Sequence, residues 1–131
     1  MFSHIFIGVS DFDRAYSFYA PLMALLGIDL KFHAKDVPWA GWHADKQRPL
    51  FIIGKPYDGL GHQAGNGQMV AFLAPDRSLV NQFYDLAIRN GATCGGSPGL
   101  RPQYHKDYYG AYFKDLDGNK ICIACHEAVG V

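Results

Sequence analysis

The feature of this sequence that most constrains its fold is a faint repeat of the first half of the chain in the second half. The pair Phe18-Tyr19 recurs 65 residues later as Phe83-Tyr84, each time inside a helix-like stretch that follows a strand-like one. The same spacing places Met69 at the position that His4 occupies in the first half. A tandem repeat of this kind predicts two structural units of one type.

The first unit begins with a strand-like segment and a helix-like one. Residues 3–9 alternate, with His4 and Phe6 on the face opposite the aliphatic residues, which predicts a strand. Ser10 is expected to cap the helix that follows, with Asp13 as its acidic partner. Pro21 is expected to bend or interrupt this helix and Gly27 to end it. Strand-like runs then follow at residues 28–34, 39–44 and 49–53.

The second unit repeats this order. Residues 68–74 are strand-like, and residues 75–91 predict a capped helix that Gly91 ends. Three more strand-like runs follow, at residues 92–96, 108–113 and 120–127.

The chain is therefore predicted to be a single α+β domain, residues 1–131, made of two tandem β-α-β-β-β modules. Module one spans residues 1–54, a glycine-rich linker spans 55–67, and module two spans 68–131. One helix covers only one face of a sheet. The other face, which bears His4 and its equivalents, is expected to form an open curved sheet around a cavity that binds a small molecule.

Composition and charge exclude several kinds of partner. Of the 131 residues, 49% are hydrophobic and 18% are charged, which is enough apolar material for a packed core. Twelve basic and twelve acidic side chains give a net charge of +0, so neither a nucleic acid nor a membrane surface is predicted as a partner. The first residues lack the pattern of a signal peptide, and the cysteine count of three is odd. Free thiols and a cytoplasmic location are therefore expected.

Three segments carry a family resemblance: the opening HIFIGVSDFDRAYSFY, the central GNGQMVAFLAPDRSLVNQFY and the closing YYGAYFKDLDGNKICIACH. Together they resemble the vicinal oxygen chelate (VOC) superfamily of glyoxalase I, bleomycin and fosfomycin resistance proteins, and extradiol dioxygenases. The last segment is similar to the YGAYxxDPDGN ending of small glyoxalase-like members. The resemblance implies the glyoxalase-like fold, while the reaction stays open because one scaffold hosts many functions.

The resemblance also implies a set of four metal-ligand positions, one from the first and one from the last strand of each unit. In this chain these positions carry His4, Phe51, Met69 and Cys122. Phe51 offers no donor atom, and a thioether is a poor ligand for the usual divalent ions. We therefore expect no cofactor. A two-donor divalent metal site formed by His4 and Cys122 is the alternative.

The segment PGLRPQYHKDYYG (98–110) is a second candidate site, because two prolines and two glycines constrain a group of aromatic and cationic side chains. Arg101 is suited to bind a carboxylate or phosphate. His105 and Tyr108 are candidates for acid/base chemistry, as is His4. The alternative is a solvated loop whose tyrosines only pack. The predicted substrate-binding residues are Phe6, Trp42, Phe51, Ile53, Met69, Arg101, Tyr104 and Cys122.

Two motifs near the end of the chain are interpreted as structural. CIACH (122–126) matches the pattern of covalent haem attachment, but strand alternation points its two cysteines to opposite faces. Cys94 and Cys125 are therefore interpreted as small core residues. DLDGN (115–119) has its glycine at the wrong position for a calcium loop and is predicted to be a hairpin turn.

Two functions of different class remain. The first is a small-molecule binding protein or metal-independent enzyme, like the bleomycin resistance members that the chain resembles. The second is a metal-dependent lyase or isomerase of glyoxalase type that uses His4 and Cys122. The resemblance also implies a homodimer.

Overall fold

The computed structural model describes residues 1–45 and 47–129, which form two compact units, Met1–Ala64 and Gly65–Val131. The first unit holds one helix and four strands: β1 (His4–Gly8), α1 (Phe12–Leu25), β2 (Asp29–Ala34), β3 (Trp39–His43) and β4 (Leu50–Gly54). The second repeats this order: β5 (Val70–Leu73), α2 (Arg77–Arg89), β6 (Thr93–Leu100), β7 (Tyr109–Lys114) and β8 (Lys120–Cys125). The predicted α+β class and the two tandem β-α-β-β-β modules are thus confirmed.

Both sheets have the same strand order. The first is β1-β4-β3-β2 and the second is β5-β8-β7-β6, and in each the first strand pairs parallel with the last one. A parallel pair needs a long crossover between its strands, and the helix of each unit supplies part of it. No helix in the part of the chain that the structure describes is long and apolar enough to cross a bilayer.

Each helix is capped by an aspartate at the same point of the repeat. Asp11 accepts a hydrogen bond from the backbone N–H of Arg14 at 3.1 Å, and Asp76 accepts one from Leu79 at 2.8 Å. The prediction of Ser10 as the first cap was therefore wrong by one residue. Asp11 was missed because both side chains are good caps and the spacing of Ser10 to Asp13 imitates a capping box.

The predicted end of α1 is confirmed, whereas an interruption at Pro21 is not. The helix continues from Phe12 to Leu25 with Pro21 inside it. Proline costs a helix one backbone hydrogen bond, and the packing of its neighbours Leu22 and Met23, both completely buried, offsets that loss. Gly27 then adopts a positive φ of 71°, which ends the helix.

The core of each unit lies between its helix and one face of its sheet. In the first unit, Tyr19 of α1 packs on Phe51 of β4 with ring centroids 5.3 Å apart. In the second, Phe83 of α2 lies 5.9 Å from Phe113 of β7, and both side chains are completely buried. The opposite face of each sheet is not covered by that helix. It is the face that carries His4 in one unit and Cys122 in the other.

The last hairpin has the turn that the sequence predicts. The Asp115 carboxylate accepts backbone hydrogen bonds from Asp117 and Asn119, both at 2.9 Å, which closes DLDGN as an aspartate-stabilised turn. Cys125 is buried, as expected, but Cys94 is exposed, so its interpretation as a core residue was wrong. Cys94 lies on β6, an edge strand of its sheet with a register shift directly after Cys94, where few neighbours cover it.

Candidate functional site

The polar side chains of the second unit gather on the sheet face that α2 does not cover. Tyr112 of β7 pairs with Cys122 of β8, so both side chains leave the sheet on this face. Strand alternation sends the neighbouring Phe113 to the other face, against α2. The second sheet therefore carries hydrogen-bonding side chains on its uncovered face and apolar side chains on the face under α2.

The loop between β6 and β7, residues 101–108, is closed by its own backbone. The N–H of Arg101 donates to the carbonyl of Tyr108 at 2.8 Å, and the N–H of Tyr104 donates to the carbonyl of Arg101 at 3.0 Å. These bonds hold Arg101 opposite Tyr108 at the base of the loop. The predicted constrained segment therefore begins inside β6, which extends to Leu100, and its loop part is shorter than expected.

Tyr108 joins Tyr112 and Cys122 in a chain of hydrogen bonds. Its hydroxyl lies 2.9 Å from the hydroxyl of Tyr112 and 3.4 Å from Sγ of Cys122. Cys122 is completely buried, while both tyrosines are half-buried. The thiol is thus an internal anchor for Tyr108, and the tyrosines are the members of the chain that reach the surface.

All three groups of this chain are held in their neutral forms. Burial is the largest cause that raises the pKa of Tyr108, and its bonds to Cys122 and Tyr112 raise that pKa further. Burial also raises the pKa of Tyr112 and of the Cys122 thiol. At neutral pH the three groups are therefore hydrogen-bond donors and acceptors, and neither a phenolate nor a thiolate.

Two cations lie at the ring of Tyr112. The guanidinium carbon of Arg101 and Nζ of Lys120 are each 5.6 Å from the ring centroid, within cation–π distance. Both charges also act on the Cys122 thiol, where they oppose the rise in its pKa that burial causes. The uncovered face therefore combines neutral donors with a local positive charge.

A pair of histidines ties the loop to the end of β8. The N–H of Asp107 donates to Nδ1 of His105 at 3.2 Å, so the hydrogen of this ring is on Nε2. Nε2 then donates to Nδ1 of His126 at 2.8 Å. The ring of Tyr108 meets both imidazoles edge-on, with centroids 5.7 Å and 5.2 Å away.

In the first unit the uncovered face is largely apolar. His4 is exposed, and its Nδ1 lies 2.9 Å from the hydroxyl of Ser3. Phe6 is 44% exposed on the same face. Phe32 and Trp39 are also on this face, with ring centroids 4.6 Å apart.

Three predicted substrate-binding residues lie on the other face of the first sheet, under α1. Phe51 packs on Tyr19, Trp42 lies 5.7 Å from Tyr16 in a stacked arrangement, and Ile53 is completely buried. They belong to the core of the unit and do not share a face with His4.

The strand register also shows that Phe51 does not occupy the metal-ligand position that the sequence analysis assigned to it. Phe6 pairs with Ile52 in the first unit, and Ala71, 65 residues after Phe6, pairs with Cys122 in the second. The counterpart of Cys122 is therefore Ile52. A one-residue shift in a strand moves a side chain to the opposite face, which is why Phe51 was misplaced.

These residues do not fit the metal site that the fold family implies. Ile52 has no donor atom, and Cys122 is a buried thiol that is hydrogen-bonded to Tyr108 and has a raised pKa. Met69, 46% exposed, offers only a thioether. His4 belongs to the first unit and Cys122 to the second, and a metal site shared by them stays a prediction.

The structure brings together five of the predicted residues, Arg101, Tyr104, His105, Tyr108 and Cys122, and adds Tyr112, Lys120 and His126. The ring of Tyr104 lies 5.0 Å from that of Tyr108. Tyr112 had a signal in the sequence, since strand alternation in YYGAYF separates it from the core residue Phe113. Lys120 and His126 had none, because their partners are distant in the sequence. Catalytic roles for His4, His105 and Tyr108 stay predictions.

A scaffold of two β-α-β-β-β modules with one uncovered face on each sheet defines the class of the protein. The family model of the Glyoxalase/Bleomycin resistance protein/Dioxygenase superfamily matches residues 1–123. The chain belongs to this superfamily, and the family resemblance of the sequence is confirmed.

Solved structures agree with this assignment. A glyoxalase/bleomycin resistance protein from Albidiferax ferrireducens T118 is 33% identical with a TM-score of 0.85, over 95% of this chain and 98% of that one. A family enzyme from Burkholderia phytofirmans PsJN shares the fold at 16% identity and a TM-score of 0.72, over 95% and 98% of the two chains. No curated protein matches the chain significantly.

Proposed function

We propose that this protein binds a small organic molecule at the uncovered face of its second unit, and that this binding needs no metal ion. The observation that carries the proposal is the chain of neutral groups Tyr112, Tyr108 and Cys122, at 2.9 Å and 3.4 Å. Neutral hydroxyls donate to carbonyl, carboxylate or phosphoryl oxygens, and the half-buried rings supply apolar contact.

The protonation of Cys122 favours this proposal over a metal-dependent lyase or isomerase that would use His4 and Cys122. A thiol binds a metal ion as thiolate. A raised pKa keeps Cys122 protonated and bonded to Tyr108, so a metal would have to displace a proton and break that bond. An enzyme that works at this face would have to rely on protein donors.

The proposal is tested by titrating the ¹⁵N-labelled protein with benzamide, a neutral aromatic carbonyl compound, before and after dialysis against EDTA. We expect backbone amide shifts that cluster in residues 100–112 and 120–124 and are the same in both preparations. A fragment of this size should bind with Kd of about 1 mM.

Two variants make the test specific to the site. Tyr108→Phe removes the central hydroxyl and should weaken benzamide binding. Tyr109→Phe is the matched control, since Tyr109 is the next residue but its hydroxyl donates to Asn81 of α2. Binding that disappears with EDTA and returns with Zn²⁺ would overturn the proposal in favour of the metal-dependent alternative, and no binding in either preparation would overturn it outright.

We also propose the homodimer that the resemblance implies. This proposal rests on the family alone. Light scattering of the purified protein should give twice the mass of one chain, and a monomeric mass would contradict it.

A further inference from the structure

We propose that Arg101 and Lys120 bind an anionic oxygen group of the ligand, so that the site selects small organic oxyanions over neutral compounds. This inference rests on the proposed function of the second unit. It adds the chemical class of the ligand and a binding residue, Lys120, that the sequence did not indicate.

The guanidinium of Arg101 is seated on β6 by two glycines. A Cβ at Gly99 would lie 3.1 Å from one terminal nitrogen of Arg101, and a Cβ at Gly96 would lie 3.2 Å from the other. A Cβ at either position would displace the guanidinium by a few tenths of an ångström. The absence of both Cβ atoms lets it lie close to the backbone, beside the ring of Tyr112.

Arg101 is held in place with part of its hydrogen-bonding capacity unused. One terminal nitrogen donates to the carbonyl of Ser97 at 2.8 Å and the other to the carbonyl of Leu100 at 3.4 Å. A guanidinium has five N–H donors in a fixed plane, and these two bonds use two of them. A positioned cation with remaining donors matches the flat, bidentate geometry of a carboxylate or the oxygens of a phosphate.

Lys120 brings a second positive charge to the same ring from the first residue of β8. Its effect on the Cys122 thiol has the same sign as that of Arg101, which places both charges within electrostatic reach of the hydrogen-bonded chain. Two like charges at one aromatic ring repel each other. An oxyanion at this ring would be attracted by both charges.

The hydrogen-bonded chain has one donor to offer such an anion. Tyr108, Tyr112 and Cys122 carry one hydrogen each, whereas the two links between them use two hydrogens. When Tyr108 donates to Tyr112, the hydrogen of Tyr112 is not used in the bond between them and lies at the ring next to both cations. An oxyanion favours this direction of donation because it accepts and cannot donate.

Matched probes test the inference. Benzoate and benzamide have nearly the same shape and differ in charge, and phenyl phosphate separates a phosphoryl group from a carboxylate. We expect wild-type protein to bind benzoate or phenyl phosphate about tenfold more tightly than benzamide in the same NMR titration. Raising the salt concentration from about 20 to 300 mM should weaken binding of the anions and leave benzamide unaffected.

Three variants locate the effect. Arg101→Gln should weaken benzoate binding about tenfold, and Lys120→Gln, which removes an exposed charge, about threefold. Arg101→Lys, which keeps the charge but loses the planar fork, should fall between Arg101→Gln and wild type. Lys106→Gln is the control, because it removes one charge from the same loop at an exposed residue.

The outcomes separate the inference from the proposed function. Equal affinity of wild type for benzamide and benzoate would overturn oxyanion selection and leave the binding site standing. Equal losses in Lys106→Gln and Arg101→Gln would also overturn it, since the effect would then be the general charge of the loop. No shift with any of the three probes would overturn both proposals together.

Discussion

The two units of this protein share a backbone plan and differ in what they place on the uncovered face. Val9 donates to the carbonyl of Gly54 in the first unit at 2.9 Å, and Ala74 donates to that of Ala124 in the second at 2.8 Å. The helix caps Asp11 and Asp76 are separated by the same 65 residues as Phe18 and Phe83. The two units therefore share individual backbone hydrogen bonds and the positions of their helix caps.

On the uncovered faces the equivalent positions carry side chains of different chemistry. Ile52 is the counterpart of Cys122, and Gly41, which pairs with Ile52, is the counterpart of Tyr112. In the first unit the ring of Phe32 on the neighbouring strand lies over Gly41. In the second, the tyrosine occupies that position itself and lies over a glycine of β6. One unit thus fills this space with a hydrocarbon ring and the other with a phenol that joins a polar chain.

This difference shows which parts of the repeat are free to change. The face under the helix is apolar in both units, because its burial against the helix stabilises each of them. The uncovered face carries different side chains in the two units, apolar in the first and hydrogen-bonding in the second. Four predictions test this comparison of the two units.

The largest expected effect is on stability at the equivalent positions Ile52 and Cys122. Ile52→Ala should destabilise the protein by about 2–4 kcal/mol, since it removes three buried carbon atoms. Cys122→Ala should cost only about 1–2 kcal/mol, the loss of one sulfur atom and its bond to Tyr108. Urea unfolding followed by circular dichroism measures both. Equal losses would mean that Cys122 is a packing residue like its counterpart.

The second prediction is a pH dependence that belongs to the second unit. The raised pKa values of Cys122 and the two tyrosines keep these groups protonated in the folded chain, while in the unfolded chain they ionise at their ordinary values. Their contribution to stability is therefore complete below about pH 8 and is lost progressively at higher pH, as the groups ionise in the unfolded chain before they do in the folded one.

The measurement is the urea midpoint at several pH values. Between about pH 8.5 and 10, wild type should lose up to about 1.4 kcal/mol per pH unit more than Cys122→Ala does. Ile52→Ala removes no titratable group and should keep the wild-type slope. A wild-type slope in Cys122→Ala would show that the thiol has the same pKa in the folded and unfolded chains.

The third prediction concerns the feature that the units share. Asp11→Ala and Asp76→Ala should each cost about 1 kcal/mol, because each leaves a helix N–H without its cap. Asn at either position restores the acceptor and should recover most of the loss. If only one of the two alanine substitutions lowered the stability, the two units would be equivalent in their sheets but not in their helix caps.

The smallest expected effect concerns the position of the Arg101 guanidinium against the glycines of β6. Gly99→Ala should displace the guanidinium by a few tenths of an ångström and weaken benzoate binding about two- to threefold, with little change in stability. Gly95→Ala is the matched control on the same strand, since its new Cβ would make ordinary contacts of 3.5 Å with Tyr112. Equal affinities in the two variants would show that Arg101 has other room to bind the anion.

Much of the fold was readable from local pattern. Alternation at residues 3–9, the glycine at Gly27 and the turn DLDGN each depend on neighbours in the sequence, and the structure confirms all three. The errors occur where two neighbouring residues give the same local signal, and where a shift of one residue along a strand changes the face on which a side chain lies. Ser10 and Asp11 are both good caps, and Phe51 and Ile52 are both apolar residues in one strand.

The candidate site was predictable only in part for the same reason. The composition of the segment 98–110 indicated Arg101, Tyr104, His105 and Tyr108, because prolines, glycines and aromatic residues concentrate there. It carried no information on Lys120 or His126, whose partners lie on another strand or in the loop.

The two-unit plan follows from the sequence alone, since the period of its apolar residues indicates which segments become helices and which become strands. The tertiary structure alone decided the chemistry of the uncovered faces. Strand register placed Cys122 opposite Tyr112 and closed the loop at Arg101 and Tyr108, and a register is a long-range pairing that no local pattern encodes to the single residue.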